Sequence, residues 1–185
     1  MKRFLLAALA AFLVMFTSNA DAPAWQEGYI MNVPSQSCEI LQDTFFGVRF
    51  GASRNQLQTR FHRYFEEDIE PKNVFTIYNV RFGGYEWHAV EFLFSEDVFN
   101  TIGFIQKCKS KKKALERVNA VCSNLEKKYG QIKPLDEGQG FYYTDPKGNR
   151  VTVLAIRLKG SWCCALTYHW KEGDAVIEKK ILRQF

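Results

Sequence analysis

The sequence has few of the residues on which enzymes most often build an active site. It contains three histidines, His62, His88 and His169, in 185 residues, and they lie on three different predicted elements. It has no zinc-protease helix motif, no phosphate-binding loop, no serine elbow and no Cys-x-x-Cys pair. These absences exclude the catalytic classes that carry a local signature. We expect no metal site and no bound cofactor.

Long apolar runs are also missing. The longest, Phe4 to Phe16, is shorter than the roughly 18 residues that a membrane span needs. It follows the positive start Met1-Lys2-Arg3 and precedes Ser18-Asn19-Ala20, which fits a small-x-small cleavage site. We therefore expect residues 1–20 to be a signal peptide removed near Ala20, leaving a periplasmic or secreted protein without a transmembrane span.

A strong excess of one charge is absent as well. Lys+Arg is 25 and Asp+Glu is 20. Removing Lys2 and Arg3 with the signal peptide leaves 23 positive against 20 negative side chains, a net charge of +3. Such a small net charge, together with the predicted export, argues against a nucleic-acid partner.

The five cysteines are an odd number for an oxidising compartment. They are Cys38, Cys108, Cys122, Cys163 and Cys164, so at most two disulfides can form. Side chains alternate along a strand, which puts Cys163 and Cys164 on opposite faces. We expect one of them to bridge to Cys122. The remaining thiol is either buried and inert or pairs between chains.

The stretch from Phe45 to Phe65 predicts the start of the domain. Residues 21–44 read as an extension without periodicity, and residues 45–185 as one domain. The stretch predicts a strand to Phe50, a turn at Gly51 and a helix that begins after Ser53. Ser53 and Gln56 have the spacing of a capping box. The helix would bury Leu57, Phe61, Tyr64 and Phe65 on one face.

Val74 to Phe94 predicts a hairpin with Gly83-Gly84 as its two-residue turn. The resulting register places Phe75, Ile77, Asn79 and Arg81 on one face with Phe92, Val90, His88 and Glu86. The other face carries the aromatic residues near the turn. A third strand follows over about Val98 to Gln106.

The second half repeats this order of elements. Lys109 to Tyr129 predicts a helix with one apolar stripe, ended by Gly130. Strands are predicted over Gly140–Thr144, Arg150–Leu158 and Trp162–Trp170. Asp174–Phe185 fits a short helix or an edge strand. The predicted fold is therefore α+β, in the order β-α-βββ-α-βββ. It has a mostly antiparallel sheet of six to seven strands, with two main helices on one face.

The opening segment Phe46-Gly47-Val48-Arg49-Phe50-Gly51-Ala52-Ser53 resembles the start of many small exported bacterial α+β proteins. It is also similar to outer-membrane assembly lipoproteins of the SmpA/OmlA type and to β-lactamase-inhibitor-like domains. The resemblance covers about a tenth of the chain and implies an envelope-associated interaction protein. The chain departs from the lipoproteins because no cysteine directly follows the predicted cleavage site, so no functional residue is carried over.

Two groups of residues are candidates for ligand binding. Lysines surround the predicted start of the second helix: Lys107, Lys109, Lys111, Lys112 and Lys113. A helix N-terminus with lysines attracts anions such as lipid phosphate or an acidic polysaccharide. The alternative is a solvated basic face that only favours solubility.

The second group is aromatic and lies near the Gly83-Gly84 turn: Tyr78, Phe82, Tyr85 and Trp87. If exposed, these rings would form a platform for a sugar or a protein partner. If covered, they belong to the core.

The histidines supply the remaining hypotheses. His62 with Glu66 could form half of a metal site, and His88 beside Asn79 and Glu86 could act as a general base. A surface polar pair and a cross-strand pair are the simpler interpretations. We therefore predict an exported, non-enzymatic binding or envelope-associated protein. Its partner would be an envelope protein, an anionic lipid or a polysaccharide. The alternative is a hydrolase with a histidine–carboxylate site.

Overall fold

The computed structural model describes residues 40–61, 73–135 and 139–174. The predicted signal peptide, most of the 21–44 extension with Cys38, the His62–Glu66 pair, and residues 175–185 lie outside these ranges. Two helices are α1 (Arg54–Arg60) and α2 (Lys111–Tyr129). The strands are β1 (Thr44–Phe45), β2 (Val48–Arg49), β3 (Val74–Phe82), β4 (Tyr85–Ser95), β5 (Val98–Cys108), β6 (Lys133–Pro134), β7 (Gly140–Thr144), β8 (Arg150–Leu158) and β9 (Ser161–His169).

Seven strands form one antiparallel sheet in the order β3-β4-β5-β9-β8-β7-β6, and β1 pairs with β2 separately. Each half of the chain contributes a meander, and the third strands of the two meanders, β5 and β9, pair at the centre. The predicted α+β class with a mostly antiparallel sheet is confirmed. The two-residue strand β6 was not predicted, because it carries no periodic pattern.

The predicted first strand is instead a tight hairpin. Phe46 and Gly47 have φ of +52° and +80°, as the two central residues of a type I′ turn require. The chain therefore reverses at Phe46-Gly47, and β1 pairs with β2. The capping box at the start of α1 is present: Ser53 accepts from the Gln56 amide, and the Gln56 side chain accepts from the Ser53 amide.

The β3–β4 hairpin keeps the predicted register from Val74↔Leu93 to Phe82↔Tyr85, but Asn79 and His88 form no ladder pair. Asn79 adopts a φ of +54°, a left-handed conformation that asparagine tolerates better than most residues. At Asn79 the side chains of β3 that face the core change from the odd-numbered to the even-numbered positions, which we call the phase shift. Phe75 and Ile77 before it, and Phe82 and Trp87 after it, consequently belong to the same core cluster. The prediction of two separate faces was wrong for this reason.

The main core lies between the sheet and the two helices. It contains Leu57 of α1, the apolar stripe of α2, and inward residues of β3, β4, β5, β8 and β9. Both helices therefore pack on one face, as predicted. A second, smaller cluster consists of Leu93, Ile105, Leu158 and Cys163, with Val74 and Ile156 beside them. All its residues are on strands.

The cysteines do not form the predicted bridge. Cys108, Cys122, Cys163 and Cys164 are all free thiols in the described part of the chain. Cys163 and Cys164 do lie on opposite faces, because they belong to different clusters. Cys122 packs as an apolar side chain of α2, where burial, then nearby Glu126, raises its pKa to about 11. Burial raises the pKa of Cys164 to about 12. Such thiols act as small hydrophobic groups.

Candidate functional site

The end of β5 and the start of α2 present a run of five exposed lysines: Lys107, Lys109, Lys111, Lys112 and Lys113. Ser110 is the N-cap of α2, and its hydroxyl accepts from the Lys113 amide at 3.3 Å. The first turn of α2 has no acidic side chain. Lysines here oppose the helix dipole, at a cost of about 0.3–1 kcal/mol each before screening by salt. The local field therefore favours an anion over further cations.

Strand pairing adds two cations that the sequence reasoning missed. Trp162 of β9 is opposite Cys108 of β5 on one side and opposite Arg157 of β8 on the other. Arg157 and Lys159, both exposed, therefore lie at the same end of the sheet as the lysine run. We call this surface the basic end. It comprises Lys107, Lys109, Lys111, Lys112, Lys113, Arg157 and Lys159.

Trp162 lies between the two parts of the basic end and is half-buried. The Lys111 ammonium nitrogen is 5.4 Å from the centre of its ring, a cation–π distance. This contact joins the first turn of α2 to the start of β9. Trp162 was predicted only as the first residue of a strand, because its lysine neighbour is about 50 positions away in the sequence.

At Lys113 an acidic neighbour offsets part of this charge. The Lys113 ammonium bonds the Glu116 carboxylate at 2.8 Å, and this hydrogen bond raises the pKa of Lys113 and lowers that of Glu116. Both partners are exposed, so the pair adds little stability. The β3–β4 turn is at the same end, but Arg81 and Glu86 pair with each other there at 2.6 Å. The charge of Lys113 is therefore partly compensated.

The predicted aromatic platform is not formed. Trp87 is 1% exposed and Phe82 is 6% exposed. The Trp87 indole nitrogen donates to the Phe82 carbonyl at 3.1 Å, and the Phe82 ring stacks on Phe104 with centres 4.2 Å apart. The phase shift at Asn79 turns both rings into the core. Tyr85 is half-buried, and its hydroxyl donates to the Ala120 carbonyl. Tyr78, exposed by 37%, instead contacts the His88 ring edge-on.

His88 does not have the partners proposed for a general base. Asn79 is not its ladder partner, and Glu86 bonds Arg81 instead. Burial, and then the nearby Lys107 ammonium, lowers the pKa of His88. Because its pKa is lowered and Glu86 is not its partner, the His88 imidazole stays neutral and is not activated as a general base.

His169 makes the polar contacts that sequence reasoning assigned to other histidines. Its Nδ1 is 2.9 Å from the Thr101 hydroxyl, and its Nε2 is 3.3 Å from an Asp174 carboxylate oxygen. Thr101 is opposite His169 on β5, whereas Asp174 follows β9. The pairing of β5 with β9 brings His169 to Thr101. The sequence does not reveal this pairing, so the contact was not predicted.

The exposure of this trio is the reverse of that in a hydrolytic triad. Thr101 is 5% exposed, while the side chains of His169 and Asp174 are 36% and 46% exposed. A nucleophile must be accessible and the orienting acid protected. The contact between His169 and Asp174 joins the end of β9 to residues 171–174, which begin a helical turn. Thr101 therefore anchors the imidazole, and the pair fixes the entry of the chain into this turn.

Glu91 is the most perturbed carboxylate in the described structure. It is 2% exposed on β4, between Thr76 of β3 and Gly103 of β5. Burial raises its pKa to about 7.

Within the described ranges, no group of three or more His, Cys, Asp or Glu side chains is placed to hold a metal. In the same ranges, no helix has the length and apolar character needed to cross a bilayer.

Comparison with family models, with curated proteins and with solved structures finds no match to this chain.

Proposed function

We propose that this protein is exported and acts by binding an anionic partner through the basic end. The observation that carries the proposal is the convergence of seven cationic side chains at one end of the sheet, although they come from two distant segments, 107–113 and 157–159. Converging like charges repel each other in the unbound protein and raise the local concentration of a counter-charged partner. The signal-like N-terminus supports a place of action outside the cytoplasm.

The side chains of the basic end favour binding over catalysis. Ammonium groups on exposed stems are always charged at neutral pH and offer neither a nucleophile nor a proton acceptor. Cys108, which lies between Lys107 and Lys109 in the sequence, is half-buried, and its thiol bonds weakly to the Gln106 carbonyl at 3.6 Å. Charge attraction is therefore the chemistry that this surface supplies.

The test compares two triple variants with the same loss of charge. Lys109→Gln, Lys111→Gln and Lys112→Gln change the basic end. Lys127→Gln, Lys133→Gln and Lys147→Gln change exposed lysines elsewhere. Binding to vesicles that contain phosphatidylglycerol and to alginate is measured by sedimentation and titration at low salt. We expect the first variant to lose at least about tenfold in affinity for one of these probes, and the second to change little. Equal losses in both variants, or no binding by the wild type, would contradict the proposal.

A hydrolase remains the second candidate, and the contact between His169 and Asp174 at 3.3 Å favours it. In this case the imidazole, anchored by Thr101, would accept a proton from water. The test is hydrolysis of nitrophenyl esters, phosphates and glycosides by the wild type and by His169→Gln. A rate that depends on His169 supports a hydrolase. A rate unchanged by the substitution contradicts it.

A further inference from the structure

Trp162 lies at the basic end, where its side chain packs against the main core on one side and has positive side chains as neighbours. It is half-buried, with Cys108 and Arg157 as its neighbours across the sheet and the Lys111 ammonium 5.4 Å from its ring centre. Indole rings favour the boundary between water and lipid, where one part of the ring is apolar and the N–H stays hydrated. Lysines beside such a ring can extend their stems along apolar surface and keep the ammonium at the headgroups.

The type of cation also indicates the kind of partner. Six of the seven charges at the basic end are lysines, whose ammonium is a point charge without a fixed hydrogen-bond fork. The arginine, Arg157, already donates from Nε to the Gly160 carbonyl at 3.2 Å. Recognition of one carboxylate or phosphate in a defined position usually relies on a bidentate guanidinium. Point charges on flexible stems instead match a diffuse surface of mobile negative charges.

A polysaccharide fits this surface less well. Binding of a sugar ring commonly uses an aromatic face on which the ring can stack. The Lys111 ammonium lies over the Trp162 ring. Among the other aromatic candidates, Phe82 and Trp87 are buried and Tyr85 is half-buried, while the exposed Tyr78 is in edge-on contact with the His88 ring. No stacking platform therefore accompanies the lysines in the described structure.

We propose that the anionic partner is a lipid membrane surface, on which the protein lies peripherally with its basic end against the headgroups and Trp162 at their depth. This inference depends on the proposed function, since it names the source of the negative charge. The sheet would then stand with the ends of β5 and β8 towards the membrane. Each lysine near an anionic surface contributes about fivefold to affinity at low salt.

The experiment uses the full exported protein and vesicles of phosphatidylcholine with or without phosphatidylglycerol. Tryptophan emission is recorded for two proteins that both carry Trp25→Phe and Trp170→Phe, one with Trp162 and one with Trp162→Phe, and brominated lipids serve as quenchers. The remaining tryptophan, Trp87, is 1% exposed and contributes a constant background. We expect a blue shift and quenching with anionic vesicles only, both absent in Trp162→Phe. We also expect loss of vesicle affinity on the order of 100-fold in the triple variant at Lys109, Lys111 and Lys112.

The outcomes separate this inference from the proposed function. Binding to alginate without binding to vesicles would overturn the lipid assignment and leave anion binding intact. Vesicle binding without a change in Trp162 emission would overturn the proposed orientation. Binding to neither probe would overturn both proposals. Circular dichroism of Trp162→Phe and of the lysine variant checks that each is folded, so that lost binding reports on the surface.

Discussion

The Arg117 guanidinium lies over the Tyr85 ring, with its central carbon 4.3 Å from the ring centre, and so joins the tip of the β3–β4 hairpin to helix α2. The same guanidinium is 5.3 Å from the Trp87 ring centre and donates to the Glu86 carbonyl at 2.7 Å. Tyr85 returns a hydrogen bond to the helix through the Ala120 carbonyl. Arg117 therefore holds two aromatic residues of the hairpin, Tyr85 and Trp87, against the helix.

Replacing Arg117 by alanine should lower the free energy of unfolding by about 1–3 kcal/mol. The variant loses a charge-assisted hydrogen bond and the cation–π contacts together. Arg117→Lys should recover only part of this loss, because an ammonium cannot stack as a planar guanidinium does. Denaturant unfolding measures the difference. The control is Asn119→Ala, at an exposed position of the same helix, which should change stability by less than about 0.5 kcal/mol. Equal effects at the two positions would contradict the role of Arg117.

Asn79 should accept glycine but not a β-branched residue. Its φ of +54° is strained for most side chains, and valine there should cost about 1–2 kcal/mol. Asn79→Gly keeps the left-handed conformation and should be close to neutral. Denaturant midpoints of the two variants compare them directly. If Asn79→Val were as stable as Asn79→Gly, the phase shift would not depend on this conformation.

Regular elements were predictable from the sequence, whereas departures from regularity were not. The apolar stripe of α2 and the apolar runs of β8 and β9, bounded by turn residues, are strong local patterns, and their bounds agree with the structure within about two residues. The phase shift at Asn79 and the turn at Phe46 depend on positive φ at residues other than glycine, which a pattern of hydrophobicity does not report.

The sequence predicted only the part of the candidate site whose residues are close together in the chain. The lysine run 107–113 was visible as a sequence, but Arg157 and Lys159 join it through the β5–β9–β8 pairing. The Thr101–His169 contact depends on the same pairing. The predicted disulfide to Cys122 was wrong. The face on which a cysteine lies in a helix or strand indicates whether it is buried, but not which other sulfur atom comes within bonding distance.

Native thiol labelling should distinguish the cysteines by exposure. Cys108 is half-buried, whereas Cys122, Cys163 and Cys164 are buried, and burial raises the pKa of each of the three. Among these four cysteines, alkylation at pH 8 should therefore modify Cys108 first and Cys164 only on unfolding. Peptide mass mapping after timed labelling gives the order, and labelling in denaturant gives the control in which all react. Rapid native modification of Cys164 would contradict its place in the core.

Glu91→Gln should stabilise the protein at neutral and alkaline pH. The folded protein holds the Glu91 proton up to a pKa of about 7, against 4.5 for the ordinary group. Because the folded state binds this proton more tightly, the contribution of Glu91 to stability is greatest below pH 4.5. It falls as the pH rises through 7, by roughly 3 kcal/mol in all. Glutamine has the same shape and cannot ionise, so the variant should lose this part of the pH dependence.

The measurement is the free energy of unfolding by denaturant from pH 4 to pH 9 for the wild type and the variant. The difference between the two curves isolates Glu91 from the other carboxylates, and it should grow between pH 4.5 and 7 and then level off. Glu126→Gln, at an exposed position of α2, serves as the control and should run parallel to the wild type. A constant difference between wild type and Glu91→Gln would mean that Glu91 ionises near its ordinary pKa. Water must then reach it in the folded protein.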